Sequence, residues 1–232
     1  MNHSPLKHSI IFISATDTGV GKTTVAGLLA AYLKKEGINC AYQKWLASGD
    51  QEVASDLRRV RELSGLTGDA LRVDYLFPLP ASPHLAAEEA GTEIEPARLL
   101  ASSREFAARH DLLIIEGIGG LLVPINRKTL LIDLVAELAA PVLLMAKSGL
   151  GTINHTLLSL LALRQRQIDC MGVLFSDEAG SLDEKITADN LETIAALGKV
   201  QVIGRLGRKD TDRELVRGFA PLGAELLKII RE

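Results

Sequence analysis

The sequence is poor in several things that would point to particular functions. It holds only 2 cysteines, Cys40 and Cys170, each inside an apolar segment, so they read as small core residues rather than a redox pair, and no zinc-type spacing exists. It has little net charge, −3, and no dense run of Lys and Arg, which removes the electrostatic footprint of a nucleic-acid binder. A phosphate or other small anion would need a local positive site instead of a global field. No apolar stretch exceeds strand length, so no segment is long enough to span a bilayer. The first residues, Met1-Asn2-His3-Ser4-Pro5-Leu6-Lys7-His8, lack the apolar core of a signal peptide. Internal repeats, low-complexity tracts and linkers rich in Gly, Ser or Pro are also missing. The expectation is a cytoplasmic protein with 1–232 forming a single domain, with no nucleic-acid or membrane partner. Hydrophobic content of 47% and charged content of 24% are ordinary for a globular chain.

What is present begins with Ser14-Ala15-Thr16-Asp17-Thr18-Gly19-Val20-Gly21-Lys22-Thr23-Thr24. An apolar run, Ser9 to Ile13, precedes it as a strand, and Val25 to Leu33 follows as a helix. Strand, small-residue turn and a helix opening on Gly-Lys-Thr-Thr make a phosphate cradle: free N–H groups and the helix dipole both favour an anion there. In such a loop Lys22 reaches the terminal phosphates and the Thr23 hydroxyl ligates Mg²⁺. The usual pattern starts with Gly, and here Thr16 holds that position.

Downstream, apolar runs alternate with amphipathic segments. Strands are expected at Ile38 to Tyr42, Leu112 to Ile115, Pro141 to Ala146, Cys170 to Phe175 and Val200 to Ile203. Helices are expected at Gln51 to Leu63, Leu85 to Ala90, Pro96 to Arg109, Leu130 to Leu138, Ile153 to Arg166, Leu182 to Leu197 and Asp212 to Ile230. Within Ile153 to Arg166, Leu157, Leu158, Leu161 and Leu163 are available for burial. Pro221 should kink or break the last helix, and Tyr75 to Pro83, with Pro78, Pro80 and Pro83, reads as a loop. This alternation implies a doubly wound, mostly parallel sheet with helices on both faces, of the P-loop NTPase kind.

Ligands in such sheets sit beyond the carboxyl ends of the strands. That rule selects the loop, Lys44 to Gly49, Glu116 to Gly120, Lys147 to Thr152, and Ser176. Lys44, placed at the end of the second strand, reads equally as a second cation for the anion site or as a solvated strand-end lysine. Asp56 by itself reads as a helix surface charge. Glu116 says more, because a carboxylate ending a central strand needs a metal, a base role or a hydrogen-bond partner. Gly117, Gly119 and Gly120 let backbone approach a ligand. Thr152 suits an N-cap, and the helix start beside it forms a second anion site, suited to a carboxylate. His155 alone reads as structural.

Taken together and in order, these motifs resemble the dethiobiotin synthetase family of biotin biosynthesis. The similarity runs through the loop Thr16 to Thr23, Gln43-Lys44 with Ala47-Ser48-Gly49, Asp56, Ser82-Pro83-His84, Glu116 to Gly120 and Leu150 to His155. It implies a ligase in which 7,8-diaminononanoate takes up CO₂ as a carbamate and ATP phosphorylates the carbamate. The second amine then closes a cyclic urea, with release of ADP and phosphate, in a site at a homodimer interface. It further implies that Thr16, Asp17, Thr18, Gly19, Val20, Gly21, Lys22, Thr23 and Thr24, with Glu116 and Ser176, hold the nucleotide. Lys44, Lys22 and Thr18 would be catalytic. Lys44, Ser48, Gly119, Gly151, Thr152 and Asn154 would hold the diamine and its carboxylate, and Thr23, Asp56 and Glu116 would ligate Mg²⁺. A partitioning-type ATPase switch is the other class such a loop serves, but those proteins carry an extra Lys where Asp17 stands. Another P-loop ligase, acting on a different amine or carboxylate, is a further alternative.

The chain also departs from the family pattern. Ala15 stands in place of Gly, and Trp45 in place of Pro, where it would shift Lys44 or fill a pocket. Ser176 replaces an adenine-reading Asn, and one hydroxyl cannot copy the two-point pairing of an amide. That implies a relaxed choice of base.

Overall fold

The computed structural model describes residues 5–177 and 183–232. Leu182, where the sequence starts a helix, and the first four residues lie outside the described residues.

Apolar strands with no polar side form where both faces will be covered, and that is the pattern here. β1 (Ile10–Ala15), β2 (Cys40–Ser48), β3 (Leu71–Phe77), β4 (Leu112–Glu116), β5 (Val142–Lys147), β6 (Cys170–Ser176) and β7 (Val202–Leu206) form one sheet in the order β3-β2-β4-β1-β5-β6-β7. Every pairing is parallel. The chain first winds outward from β1 to β3, then returns to place β4 beside β1 and winds the other way. The crevice beyond β1 and β4 is therefore the expected ligand position.

Alternation along β1 divides the core in two. Ile11 and Ile13 pack with Val25, Leu28 and Leu29 of α1 (Lys22–Lys35), Val60 of α2 (Ser55–Ser64), and Phe219 and Leu226 of α8 (Asp212–Arg231). Phe12 points to the other side, with Leu99 and Phe106 of α4 (Pro96–Ala107), Val135 of α5 (Leu131–Leu138), Leu163 of α6 (Thr152–Gln165) and Ile194 of α7 (Glu184–Gly198). Short α3 (Pro83–Glu89) joins this second layer through Ala86 and Ala87. The doubly wound α/β expectation is borne out.

Four local expectations need correction. The second strand does not end before Lys44. β2 runs on to Ser48, so Lys44 lies within it, in register with Glu116 at the end of the shorter β4. Tyr75 to Phe77 are not loop but the last residues of edge strand β3, and the prolines follow it. α8 continues through Pro221, because apolar residues on both sides of the proline bind the sheet. That burial outweighs one lost backbone hydrogen bond at an exposed position. On α6, Leu160 and Leu163 are buried, while Leu158 and Leu161 are 56% and 58% exposed.

One glycine fixes how α2 sits over the crevice. A Cβ on Gly27 of α1 would stand 3.0 Å from Leu63 and 3.3 Å from the backbone of Val60, both on α2. Its absence lets the two helices close up, which brings the start of α2 over the start of α1.

Candidate active site

The site starts from the turn after β1. Gly21 has φ +90°, a left-handed conformation that favours glycine, and it immediately precedes helix α1 at Lys22. No side chain caps this helix start, so its first amides are directed outward, as an anion requires. The Lys22 ammonium folds back to donate to the carbonyls of Asp17 (3.2 Å) and Gly119 (3.0 Å). The loop and the Gly-rich turn after β4 are thereby joined. Ala15 closes β1 in ordinary extended backbone, so the missing glycine costs nothing there.

Beside Lys22 lies a buried cluster drawn from four elements. Lys44 Nζ donates to Glu116 Oε1 at 2.6 Å and to the Gly117 carbonyl at 3.1 Å, and lies 3.0 Å from Asp56 Oδ2. Thr23 Oγ1 sits 2.6 Å from Asp56 Oδ1 and 2.9 Å from Glu116 Oε1. Tyr42 donates its hydroxyl to Glu116 Oε2 at 2.7 Å. Burial works against the Lys44 ammonium, but Glu116 and Asp56 more than offset it, so Lys44 is raised above the usual lysine value. Burial likewise pushes Asp56 up, and Lys44 and Thr23 more than reverse that, leaving it lowered. Burial pushes the Tyr42 phenol well above its usual value, and Glu116 adds to this. Lys22 has no such pair. Burial lowers it to about 8 despite the pull of Glu116, with Lys44 repulsion adding to the fall. The arrangement holds one firmly charged ammonium and one easily discharged ammonium within a single cleft.

That cleft, of about 470 Å³, is bordered by Thr18, Gly19, Val20, Gly21, Lys22, Thr23 and Thr24, and also by Lys44, Ser48, Asp56, Glu116 and Gly119. Thr16 and Asp17 border a neighbouring apolar cleft with Leu122, His155 and Leu158. Ser176 borders a third, with Thr24 and the segment after β7. Gly151, Thr152 and Asn154 begin α6 and border none of the three. The N-cap there is Gly151, at φ +83°, and not Thr152, which is the first helical residue and is buried. Trp45 does not enter the site. Strand alternation sends it to the opposite face from Lys44, where it is fully buried, 4.9 Å from the Phe12 ring, with its N–H on Ser103 Oγ at 2.8 Å. Sequence reasoning missed Tyr42. The signal was available, since residues 42 and 44 share one face of a strand.

Comparison with known proteins decides among the classes that use such a loop. A family model described as an AAA domain matches residues 9–212. The ATP-dependent dethiobiotin synthetase BioD of Rhodopseudomonas palustris strain CGA009 is 42% identical over 213 residues, 90% of this chain and 92% of the relative. That of Chlorobaculum tepidum is 38% identical, covering 82% of each. This chain belongs to the ATP-dependent dethiobiotin synthetase family. Among solved structures, a ParA family ATPase from Chlorobium tepidum matches with a TM-score of 0.56 at 16% identity, covering 96% of this chain and 95% of that one. The cell division ATPase MinD of Pyrococcus furiosus matches at 0.56 and 15%, covering 96% and 98%. At those identities the likeness is one of fold alone, and the switch-protein class has only that in its favour.

The depressed Lys22 gives a pH dependence whose sign is fixed. Below pH 8 the ligand-free protein carries the ammonium, and above it the charge is lost. ADP affinity measured by calorimetry should therefore fall about thirtyfold from pH 7 to pH 9.5, in proportion to the charged fraction of Lys22. Affinity that holds level to pH 9.5 would mean Lys22 keeps its proton and the burial argument is wrong.

Proposed function

We propose that this chain is a Mg²⁺-dependent ligase that makes dethiobiotin from 7,8-diaminononanoate, CO₂ and ATP, releasing ADP and phosphate, and that it works as one nucleotide-binding domain. The observation that carries this reading is the convergence of Lys22 and Lys44 on one cleft, beside Thr23, Asp56 and Glu116. Family membership adds the substrate. The reaction must bring a carbamate up to a triphosphate, and two anions repel strongly in a partly dry site. Cations held ready on rigid elements offset that repulsion at the point where charge builds up.

Residue roles follow from position. Lys22 and the loop from Thr16 to Thr24 bind the nucleotide, with Lys22 on its terminal phosphates. Lys44 faces the carbamate, and Thr18 and Ser48 supply hydroxyls to the same group. Gly119 offers backbone to it. Thr23, Asp56 and Glu116 would hold Mg²⁺, whose chemistry when bound is to neutralise phosphate charge. Their donor set fits a hard cation. One hydroxyl lies within 2.9 Å of two carboxylate oxygens, and its single proton cannot satisfy both. Among the described residues no three carboxylates, histidines or cysteines gather to hold an ion unaided, which suits a metal completed by phosphate oxygens and water.

Gly151, Thr152 and Asn154 fit the substrate carboxylate in a homodimer, where the second copy completes the site. Support comes from Leu150, Leu158 and Leu161, exposed on and beside α6, and from exposed Leu122 on the same apolar cleft as Leu158. Several exposed leucines on and beside one helix support an association face. Light scattering should give a dimer for the wild type and a monomer for Leu158→Glu with Leu161→Glu. A wild-type monomer under assay conditions overturns this part. A cytoplasmic location accords with two cysteines that remain unpaired thiols.

Diaminononanoate and bicarbonate together should stimulate ADP release, and neither should do so with a switch ATPase. Lys44→Ala should lower kcat by about a hundredfold or more with ADP affinity changed less than about threefold, the pattern of a group acting in the transition state. Equal losses in both would reduce Lys44 to a binding residue. At Ser176 the proposal is relaxed base choice: ATP, CTP and GTP should differ in turnover by less than about a hundredfold. A larger preference for ATP would show that other groups read the base.

A further inference from the structure

Two clefts lie side by side over the carboxyl end of the sheet. One, already described, contains Lys22 and Lys44. The other, of about 350 Å³, is bordered by Ser176, Leu206 and the segment Gly207 to Asp212. Both are bordered by Thr24 and Arg59. A ligand that fills the two must pass between these residues. Arg59 lies on α2 one turn after Asp56, so the helix that brings Asp56 to the phosphate cradle also brings Arg59 to this gap.

The guanidinium is engaged by a carboxylate. Nη1 and Nη2 donate to Asp212 Oδ2 and Oδ1 at 2.8 and 2.7 Å, and Glu62 lies 3.5 Å from Nη1. This two-pronged geometry serves a phosphate as well as a carboxylate. The pair is also open to water, with the Arg59 and Asp212 side chains 31% and 52% exposed. Water screens the attraction of an ion pair open to solvent, which lowers the cost of exchanging one anion for another. Asp212 opens α8 and itself borders the second cleft, so a departing guanidinium need only turn toward the gap.

We infer that Arg59 is a nucleotide-contact residue that exchanges Asp212 for the sugar-proximal phosphate of a nucleoside polyphosphate spanning the two clefts. This rests on the nucleotide-dependent reading given above and adds to it the group that handles the middle of the ligand. Lys22 and the loop hold the distal phosphates. Arg59 acts only on a ligand long enough to reach past Thr24. The competing role is that of a strap, in which Arg59 and Asp212 simply fasten α2 to α8.

Under the exchange role the two halves of the pair shift ADP affinity in opposite directions; under the strap role they shift it alike. In the full-length chain, Arg59→Ala should weaken ADP binding about tenfold while leaving pyrophosphate, which reaches only the loop, within about twofold. Asp212→Asn frees the guanidinium and should tighten ADP about threefold, again without effect on pyrophosphate. Arg59→Lys should recover part of the loss, since it keeps the charge and loses the fork. Calorimetric dissociation constants read all of these, and thermal unfolding of each variant checks the fold. The inference is overturned if Arg59→Ala leaves ADP affinity unchanged, if it weakens ADP and pyrophosphate alike, or if both variants shift ADP affinity in the same direction. Failure of the nucleotide reading looks different: the wild type would then bind neither ADP nor pyrophosphate.

Discussion

A lysine shared between a buried and a half-buried carboxylate organises this molecule. Lys44 comes from β2, Glu116 from the end of β4 and Asp56 from the start of α2. Taking each ion out of water costs several kcal/mol, and a buried ion stays charged only if its partners are held in place. Each element is therefore tied to the others by the charge it carries. Thr23 and Tyr42 also hydrogen-bond the carboxylates, with the one Thr23 proton facing both of them.

The scaffold around that cluster is what makes it rigid. Next to Lys44 in sequence, Gln43 and Trp45 point the other way into a buried polar seam. There Gln43 donates to Asp74 at 2.6 Å and to Ser102 at 2.9 Å, while Trp45 donates to Ser103. β2 is thus bonded to α4 on one face and to the Lys44–Glu116–Asp56 cluster on the other. The absence of a Cβ at Gly27 performs the matching task for α2. Residues outside the cleft determine where those bordering it stand.

Likeness of fold is limited evidence of function. The fold is shared, at 15–16% identity, with a ParA family ATPase and the cell division ATPase MinD. What separates this chain is a set of side chains placed on that common frame, and function follows the site rather than the frame.

Much of this was written in the chain. Apolar runs separated by amphipathic stretches are enough to require a parallel sheet covered on both sides, and Gly-Lys-Thr-Thr after a strand is enough to require an anion site, because both depend on local periodicity and backbone geometry. The meeting of Lys44, Asp56 and Glu116 was not legible from position alone, since the first read equally as a second cation or a solvated strand-end lysine and the second as a surface charge. Strand register and helix packing put them together, and these depend on contacts between residues up to 72 positions apart. Trp45 makes the same point in reverse. Its place next to the lysine suggested a role in the pocket, and the two-residue repeat of a strand buried it on the far side. Sequence determined which elements form and what chemistry they carry; only tertiary packing decided which charges face each other, because Coulomb and hydrogen-bond energies depend on distance in space and not along the chain.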